Sequence, residues 1–515
     1  MGRAHVARRN DNRWTTQVTF WWPYDCKRPP GRPAERWRKL MKERIGPNWR
    51  QLAEDRKQYI SGDCTIHHGT TTCDTDLQVF KCSNEVGAIV FDSGSHSFRA
   101  GYGGEEYPKF DIPSCVGVSS VIESLSDDTM DTGINRPKPD YYIGTTKLNV
   151  PRKNTDVRFY MKDGMVEDWD IFEQVLDYLY KDCFGIGGEG QSGSEHHSVL
   201  FTEAPWNERE KREKLTELMF EKYRVPAFFL VKNAVLAAFA NGRVSSLVLD
   251  SGATHTSAVP VYDGYCITHA VVRAPIGGDF VAEQCRRYLE KEKIEVVPYY
   301  KIGSKKEVKD NEPSVWFPRK NLPNVTKSYD EYMKKLVYED FAQSTLQLCE
   351  TPIDVEFMEK LPASSYGFPC GFRRDFHAER AKIPESLFNL KYIEGAEKEN
   401  VTQLKSALMD MSQIAATSCG MCDIDIRQTL YSNLMVTGGN SLISGFTERL
   451  NHDLAHKCPA TMKLRVTSAP TSVERRYGAW IGGSIVSSLG TFQQLWIGKG
   501  EYEESGKSIV DRKCA

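Results

Sequence analysis

Two short loops in the sequence combine an aspartate with a glycine turn, a pattern that can hold a phosphate group. In IVFDSGSHSF, Asp92 precedes Gly94 and Ser95, and in LVLDSGATHT, Asp250 precedes Gly252. A strand-end aspartate can hold Mg²⁺, usually through water, because Mg²⁺ keeps most of its hydration shell. The backbone N–H groups of the turn can then surround phosphate oxygens. One such loop is equally typical of an ordinary hairpin, but two copies favour a nucleotide site.

A third loop of a related kind follows near the C-terminus. The run NLMVTGGNSLISGFTERL is typical of a strand, then Gly438 and Gly439, then a helix whose N-terminus points at the loop. Unpaired N–H groups and the helix dipole favour an anion or a ribose at such a place. Together the three loops predict that the chain binds a nucleotide.

The elements that must position these loops follow an α/β pattern. Three apolar residues followed by Asp-Ser-Gly occur at 89–98 and again at 247–256, which indicates a duplicated domain with one loop from each half facing a shared cleft. Helical periodicity predicts helices over 168–184, with Asp168 at its N-cap, and over 207–223. The strand-like runs SVLFTEAP and AFFLV alternate with these helices.

Length and charge divide the chain into two parts. At 515 residues it is too long for one compact core, and its net charge of -2 argues against nucleic-acid binding over the whole surface. Residues 1–84 hold 16 Lys and Arg against 9 Asp and Glu, and five of the ten tryptophans. We therefore predict a basic, Trp-rich N-terminal extension over 1–84 and a separate folded domain over 85–515.

The N-terminal extension leaves several interpretations open. Its stretch GRPAERWRKLMKERIGPNWRQLAEDRKQY resembles the tail of LINE-type retrotransposon polyproteins, which implies a transposon-derived segment or a gene-model fusion. Its basic residues are also compatible with contact to DNA phosphates, with a solvated helix face or with disorder.

Cysteine usage and hydropathy restrict the compartment. The 14 cysteines are scattered, and we find neither a secretory signal nor an apolar run long enough to span a membrane. We expect the cytoplasm or the nucleus and no membrane contact. Neither the nine-residue spacing of Cys64, Cys73 and Cys82 nor the single Cys-x-x-Cys of Cys419 and Cys422 provides the paired ligands typical of zinc, so no metal-cysteine site is predicted.

Two other residue pairs could suggest chemistry. Ser251 and His255 resemble a nucleophile and its base, but the sequence places no third group to orient them. His196 and His197 lie in a Gly/Ser-rich run that is typical of a solvated loop. Neither pair is predicted to be a site.

Several long segments carry a family resemblance. FDSGSHSFRAGYGGEEYPKFDIPSCVG, TEAPWNEREKREKLTELMFE, MVTGGNSLISGFTERL and AWIGGSIVSSLGTFQQLWIGKGEYEESGKSIVDRKCA resemble actin and its relatives, and the resemblance covers about 85–515. It implies an α/β fold of duplicated RNase-H-like domains, in four subdomains, around a central cleft that holds ATP. The repeat at Asp92 and Asp250 agrees with that expectation.

The same resemblance implies the residues of the cleft. Asp92 and Asp250 would hold Mg²⁺ through water. The residues expected to bind the nucleotide are Asp92, Gly94, Ser95, Arg99, Asp250, Gly252, Gly438, Gly439 and Arg476.

Four positions depart from the pattern of conventional actin. Arg99 stands in place of the phosphate-contacting lysine, and Asn233 in place of the glutamine that orients the attacking water. The asparagine is one methylene shorter, and a misplacement of about 1 Å can lower a rate about 100-fold. Ala253 replaces an acid, and Ser257 replaces a histidine. These departures predict a protein that binds ATP with little or no hydrolysis; the alternative is a slow actin-like ATPase or a cytoskeletal actin-related protein.

Other segments resemble one branch of the family. MVEDWDIFEQVLDYLY, LDSGATHTSAVPVYDGY and SCGMCDIDIR are similar to BAF-type nuclear actin-related subunits, the branch of actin-like protein 6. This branch implies a scaffold in the nucleus, within SWI/SNF-type chromatin-remodelling and histone acetyltransferase complexes that regulate transcription. It would pair with monomeric actin on an amphipathic helix of the motor subunit, bind other subunits of these complexes, and meet nucleosomes indirectly.

Two further features bear on assembly. The loop that joins actin protomers in a filament is not recognisable in 123–142, so no homopolymer is expected. A partner helix could dock in a hydrophobic groove through apolar anchors, although the same residues are compatible with ordinary core packing. The predicted groove residues are Phe239, Gly242, Ile485, Val486, Leu489 and Thr491.

Overall fold

The computed structural model describes residues 87–119, 139–186, 193–394, 408–489 and 492–514. The predicted extension over 1–84, with its four cysteines, lies outside the described residues, as do most of 123–142 and Thr491. Within the described ranges, no helix is long and apolar enough to span a membrane.

The chain alternates short strands and helices. The strands are β1 (Ile89–Ser93), β2 (Ser97–Tyr102), β3 (Phe110–Pro113), β4 (Cys115–Ser119), β5 (Tyr141–Tyr142), β6 (Thr155–Phe159), β7 (Met161–Lys162), β8 (Met165–Val166), β9 (Val199–Glu203), β10 (Ala227–Lys232), β11 (Ser246–Ser251), β12 (Thr256–Tyr262), β13 (Tyr265–Cys266), β14 (Val272–Ala274), β15 (Ile302–Lys305), β16 (Trp316–Pro318), β17 (Ser364–Gly367), β18 (Arg373–Phe376), β19 (Leu434–Thr437), β20 (Val466–Ser468) and β21 (Ile497–Gly498). The α-helices are α1 (Thr145–Leu148), α2 (Trp169–Tyr178), α3 (Arg209–Glu217), α4 (Asn233–Ala240), α5 (Gly278–Lys291), α6 (Lys327–Thr345), α7 (Val355–Met358), α8 (Glu379–Glu385), α9 (Met411–Met421), α10 (Ile424–Ser432), α11 (Phe446–Lys457), α12 (Ser472–Ser487), α13 (Lys499–Ser505) and α14 (Ile509–Lys513).

Two large sheets repeat one arrangement of strands. The first has the order β21-β10-β9-β1-β2-β3, and the second has β13-β12-β11-β19-β20 with β14 beside β12. In each, a central hairpin is antiparallel, β1 with β2 and β11 with β12, and its first strand also pairs in parallel with a later strand, β9 or β19. The predicted α/β fold with duplicated halves is therefore confirmed.

Two hydrophobic cores surround the two large sheets, and the first core also reaches the second sheet. The first core includes Phe91, Trp480 and, from β11, Val248, whereas the second includes Leu249. Helix α12 packs closely on α4, because a Cβ on Gly482 would overlap the carbonyl oxygen of Leu236. This close approach fixes the two halves around the loops between them.

The two predicted helices of the first half are confirmed. The first is α2, whose N-cap Asp168 accepts a hydrogen bond from the backbone N–H of Ile171, and it continues as a π-helical turn over Leu179–Cys183. The second is α3, which continues as a π-helical turn over Leu218–Lys222. Their apolar residues face the first core, as the spacing predicts.

The third glycine loop differs from its prediction in one respect. After β19, the chain forms a 3-10 turn over Gly439–Leu442, and helix α11 begins only at Phe446. Gly445, at a φ of 82°, separates the two. The predicted order of strand, glycine pair and helix is therefore present, but the α-helix begins later than expected, after a second glycine turn.

Candidate functional site

The two Asp-Ser-Gly hairpins face each other across a cavity of about 860 Å³. In the first hairpin Asp92 lies opposite Arg99, and in the second Asp250 lies opposite Ser257. The loops touch, since the Thr254 hydroxyl donates to Ser95 Oγ at 3.2 Å. The predicted juxtaposition of one loop from each half is thus present in the structure.

All nine residues predicted to contact a nucleotide line this one cavity. Eight belong to the three glycine loops or the adjacent strand β2. The ninth, Arg476, is exposed near the start of α12, where its Nη2 donates to Gln343 Oε1 at 3.4 Å. The fold therefore brings together, from both halves, the side chains that the loop pattern and the family resemblance had indicated.

Asp92 is held by partners within its own half. Its Oδ1 accepts a hydrogen bond from the Thr202 hydroxyl at 2.6 Å, and its Oδ2 accepts one from Arg99 Nη1 at 2.7 Å. The residue is only 4% exposed. Both carboxylate oxygens are therefore engaged by the protein itself.

Arg99 has a second acidic neighbour and an aromatic one. Its Nε lies 4.0 Å from Asp111 Oδ1, and its guanidinium lies 5.4 Å from the centre of the Tyr477 ring. The Tyr477 hydroxyl donates to Asp111 at 3.0 Å, which closes the group. Burial lowers the pKa of Arg99, but the charges of Asp92 and Asp111 outweigh that effect and raise the pKa above its ordinary value.

Asp250 is in a different position from its counterpart. In the described part of the chain it has no side-chain hydrogen bond and no ion pair, and Ser257 opposite carries no charge. Burial, reinforced by the charge of Asp92, raises the pKa of Asp250 to about 6. Asp250 is only partly exposed to solvent. A carboxylate in such a place without a cationic partner holds its proton more tightly because the charged form is poorly solvated.

The second loop is supported by residues that the sequence reasoning missed. The backbone N–H groups of Gly278 and Asp279, in the first turn of α5, donate to the carbonyl oxygens of Gly252 at 2.9 Å and Ala253 at 2.8 Å. A Cβ on Gly277 would lie 2.7 Å from the Gly252 carbonyl oxygen. The run APIGGDF has the same strand, glycine pair and helix as the third loop, and that pattern could have revealed it.

Gly438 and Arg475 hold the third loop in its conformation. Gly438 has a φ of 92°, and its N–H donates to the carbonyl oxygen of Arg475 at 3.0 Å. The guanidinium of Arg475 donates back to the carbonyl oxygen of Ser441 at 2.9 Å. Asn440 reaches the second loop through a 3.0 Å hydrogen bond to Ser251 Oγ. Arg475 therefore shapes this loop, a role that sequence gave no reason to assign to it.

ATP and Mg²⁺ fit this cavity to different degrees. Its volume lies within the ~300–1,000 Å³ typical of ligand sites, and glycine turns from three loops line it, so a nucleotide fits. For a metal ion, Asp250 has free oxygens, whereas those of Asp92 are taken by Arg99 and Thr202. No group of three or more metal-ligating side chains occurs among the described residues. Asp250 thus fits the predicted role in holding Mg²⁺ through water, and Asp92 fits it poorly.

The residues that the resemblance assigned to the hydrolytic positions lie in and beside the cavity. Asn233, the first residue of α4, and Ala253 both line it. Ser257 does not line it, since it is 3% exposed and packed in β12. A hydroxyl buried there and a methyl group at 253 offer no base to an incoming water molecule.

The geometry gives no nucleophile and base pair at Ser251 and His255. Ser251 Oγ is bonded to Thr256 and Asn440, whereas His255 Nδ1 contacts the Thr254 hydroxyl at 2.8 Å. Burial, reinforced by the charge of Arg273, lowers the pKa of His255 to about 4. The imidazole packs against the Trp206 ring and forms part of the wall of the cleft.

The predicted partner groove is only partly open. Phe239 and Val486 are 4% and 2% exposed, and both belong to the first core, as the packing interpretation holds. Gly242 is also buried. Ile485 and Leu489 are partly buried at the edge of this core. Of the predicted groove, these two side chains are the ones that a partner could reach within the described residues.

The contrast between the two aspartates leads to a stability prediction. Asp250→Asn is expected to stabilise the nucleotide-free protein at pH 7.5 by about 1–2 kcal/mol. The pKa difference alone would give roughly 3 kcal/mol, but the cavity wall is open to solvent, which reduces the effect. The unfolded chain ionises near pH 4 and the folded one near 6. The contribution of Asp250 to stability should therefore fall as pH rises between these values and then level off, so the stability difference between Asp250→Asn and wild type should grow over this range. Urea unfolding at pH 4.5 and 7.5 measures this difference.

Asp92→Asn is the matched control for that prediction. It removes the same charge from the equivalent place in the other hairpin, but there the charge pairs with Arg99 at 2.7 Å. This variant should lose stability at pH 7.5. If both variants shifted stability in the same direction, the assignment of the free carboxylate to Asp250 would be wrong.

Comparison with known proteins agrees with the two-half architecture. The family model described as Actin matches residues 83–515. Actin-related protein 4 of Arabidopsis thaliana is 36% identical over 447 residues, which cover 84% of this chain and 99% of that protein. Actin-related protein 4 of Oryza sativa subsp. indica is 37% identical over 448 residues, with the same coverage. Actin-related protein 4 of Yarrowia lipolytica is 33% identical over 432 residues, which cover 84% of this chain and 96% of that protein.

Proposed function

This chain belongs to the actin family, and from that premise we propose that it is a nuclear actin-related scaffold subunit that holds ATP without efficient hydrolysis. The observation that carries the proposal is the contrast within one cavity. The glycine turns and Asp250 line a cavity large enough for a nucleotide, and Asn233 and Ala253, which the resemblance assigns to the water-directing positions, line the same cavity. Bound nucleotide then acts as a structural wedge between the halves.

Nucleotide binding without turnover would stabilise the folded state. A ligand that binds only the folded state stabilises it by about 2.7 kcal/mol when its concentration is 100-fold above Kd. Because the cavity walls come from both halves, ATP bound there would connect them through both hairpin loops. When present, ATP contributes phosphate charge and its Mg²⁺ contributes counter-charge; the residues of this chain bind and orient them.

We place the protein in SWI/SNF-type chromatin-remodelling and histone acetyltransferase complexes. The support is the coverage of nearly the whole length of actin-related protein 4 from plants and a yeast, together with the segments that resemble BAF-type subunits. In these complexes it would pair with monomeric actin on a helix of the motor subunit, act in the nucleus on transcription and form no homopolymer. Mass spectrometry of proteins that co-purify with the tagged full chain tests this placement: actin with a remodeller motor supports it, and recovery of neither contradicts it.

The rate of ATP hydrolysis tests whether efficient turnover is absent. We expect single-turnover phosphate release from the wild-type chain to be far slower than from conventional actin. The double variant Asn233→Gln, Ala253→Asp should restore a longer amide and an acid at the cavity wall, and should raise the rate about 10- to 100-fold. Both measurements use protein loaded with ATP.

A control for this test lies on the same helix. Asn241→Gln makes the same chemical change at the C-terminal end of α4, away from the cavity, where its side chain donates to the carbonyl oxygen of Ala237. It should leave the rate unchanged. Hydrolysis by the wild-type chain at the rate of actin would overturn the proposal in favour of an actin-like ATPase or a cytoskeletal role.

A further inference from the structure

The equivalent aspartates in the two halves of the cleft face different side chains. At the same cross-strand position, β2 presents Arg99 to Asp92, and β12 presents Ser257 to Asp250. The first hairpin thus carries its own cation within hydrogen-bonding distance of its carboxylate, at 2.7 Å. The duplicated fold makes this a direct internal comparison, since backbone pairing is the same in both.

Arg99 retains donors beyond the one that it gives to Asp92. A guanidinium has five N–H donors in a planar fork, and only Nη1 makes a hydrogen bond to a carboxylate here. Its Nε is buried without a hydrogen-bond partner within the described part of the chain. Arg99 also lines the cavity. An anion in the cavity would meet a fixed cation with unused donors, and the planar fork of a guanidinium can contact two oxygens of a tetrahedral phosphate group.

The carboxylates left for a metal ion are few. Asp92 is already neutralised by Arg99, and Ala253 has no carboxylate where actin has an acid. Among the residues of the two hairpin loops, Asp250 is the carboxylate without a cationic partner. Mg²⁺ in proteins usually relies on one or two carboxylates together with substrate phosphates. The two hairpin loops therefore give a metal ion one unpaired carboxylate, that of Asp250, whereas they give phosphate a fixed positive charge at Arg99.

From these contacts we infer that Arg99 serves as a built-in substitute for the divalent cation, so that the cleft binds nucleoside triphosphate with little dependence on Mg²⁺. The inference rests on the proposed nucleotide binding and specifies its chemistry. It also explains why an arginine stands at this position: a guanidinium can hold Asp92 and still present donors to phosphate, whereas an ammonium is a compact point charge.

The test is the affinity for ATP measured by calorimetry on the full chain, in Mg²⁺ and in excess EDTA. The wild-type protein should change affinity by less than about threefold between the two conditions. Arg99→Gln removes the cation and frees Asp92, so its affinity in EDTA should fall at least about tenfold, which is about 1.4 kcal/mol. Mg²⁺ should restore most of that loss.

Arg476→Gln is the matched control, because it removes the other arginine that the sequence assigned to the cavity. Arg476 has no carboxylate partner among the described residues, so its loss should affect affinity equally with and without Mg²⁺. A wild-type affinity that collapses in EDTA overturns the inference and leaves the proposed function standing. Failure to bind ATP in either condition overturns both. The wild-type comparison decides the matter even if Arg99→Gln does not fold.

Discussion

Replacing Glu203 with alanine is expected to lower the free energy of unfolding by about 3–5 kcal/mol, because it leaves two buried cations without their shared anion. Glu203 is 6% exposed at the end of β9. Its Oε1 accepts a hydrogen bond from Lys232 Nζ at 2.6 Å, and its Oε2 accepts one from Arg212 Nε at 3.0 Å. Urea or thermal unfolding of the purified chain measures the loss.

The loss at Glu203 should extend to the C-terminal helix. Arg212 Nη1 also donates to Asp511 at 2.7 Å, and Arg212 contacts the carbonyl oxygen of Cys514. An Arg212 side chain released from Glu203 would hold α14 less well. Hydrogen exchange of the backbone amides of α14 should therefore accelerate in Glu203→Ala more than in the strands of the second sheet.

Glu213→Ala provides the comparison for that result. Glu213 lies on the same helix as Arg212, but it pairs with Arg209, whose side chain is 69% exposed. Such a solvent-exposed pair contributes about 0.5 kcal/mol or less. If Glu203→Ala and Glu213→Ala cost the same, the buried cations do not depend on Glu203, and the expected effect is wrong.

The parts of the site that sequence could predict are those encoded locally. Asp92 and Asp250 each end an apolar strand before a glycine turn, so hairpins were predictable at both places, and the repeat implied that they face each other. Asp168 was predictable as an N-cap because its side chain caps the helix that follows it directly. Such features depend on a few consecutive residues.

The parts that sequence could not predict depend on residues far apart in the chain. Thr202 reaches Asp92 only because β9 lies parallel to β1, and the spacing within either strand does not reveal that pairing. The hydrogen bond from Arg99 to Asp92 was missed for a different reason: the two residues face each other in the predicted hairpin, but Arg99 was expected to face a phosphate instead. The burial of Phe239 and Val486 likewise follows from the close packing of α12 on α4.

Gly438→Ala is expected to cost about 3–5 kcal/mol, the sum of a backbone conformation that suits only glycine and of overpacking. Gly438 has a φ of 92° and a ψ of 151°. A Cβ there would overlap the carbonyl oxygen of Ser251 and would lie 2.5 Å from Asp250 Oδ1. The second loop would have to move, so ATP affinity measured by calorimetry should fall together with the unfolding midpoint.

The adjacent glycine separates this steric effect from a general intolerance of the loop. A Cβ on Gly439 would meet no atom within 4 Å, and its φ is not in the positive range. Gly439→Ala should therefore remain within about 0.5 kcal/mol of wild type in stability. Equal losses in both variants would mean that Gly438 does not set the distance between the second and third loops. A large loss at Gly438 alone would show that the position of Asp250 on β11 depends on the backbone that follows the neighbouring strand β19. A residue far along the chain would then determine the shape of the cleft beside Asp250.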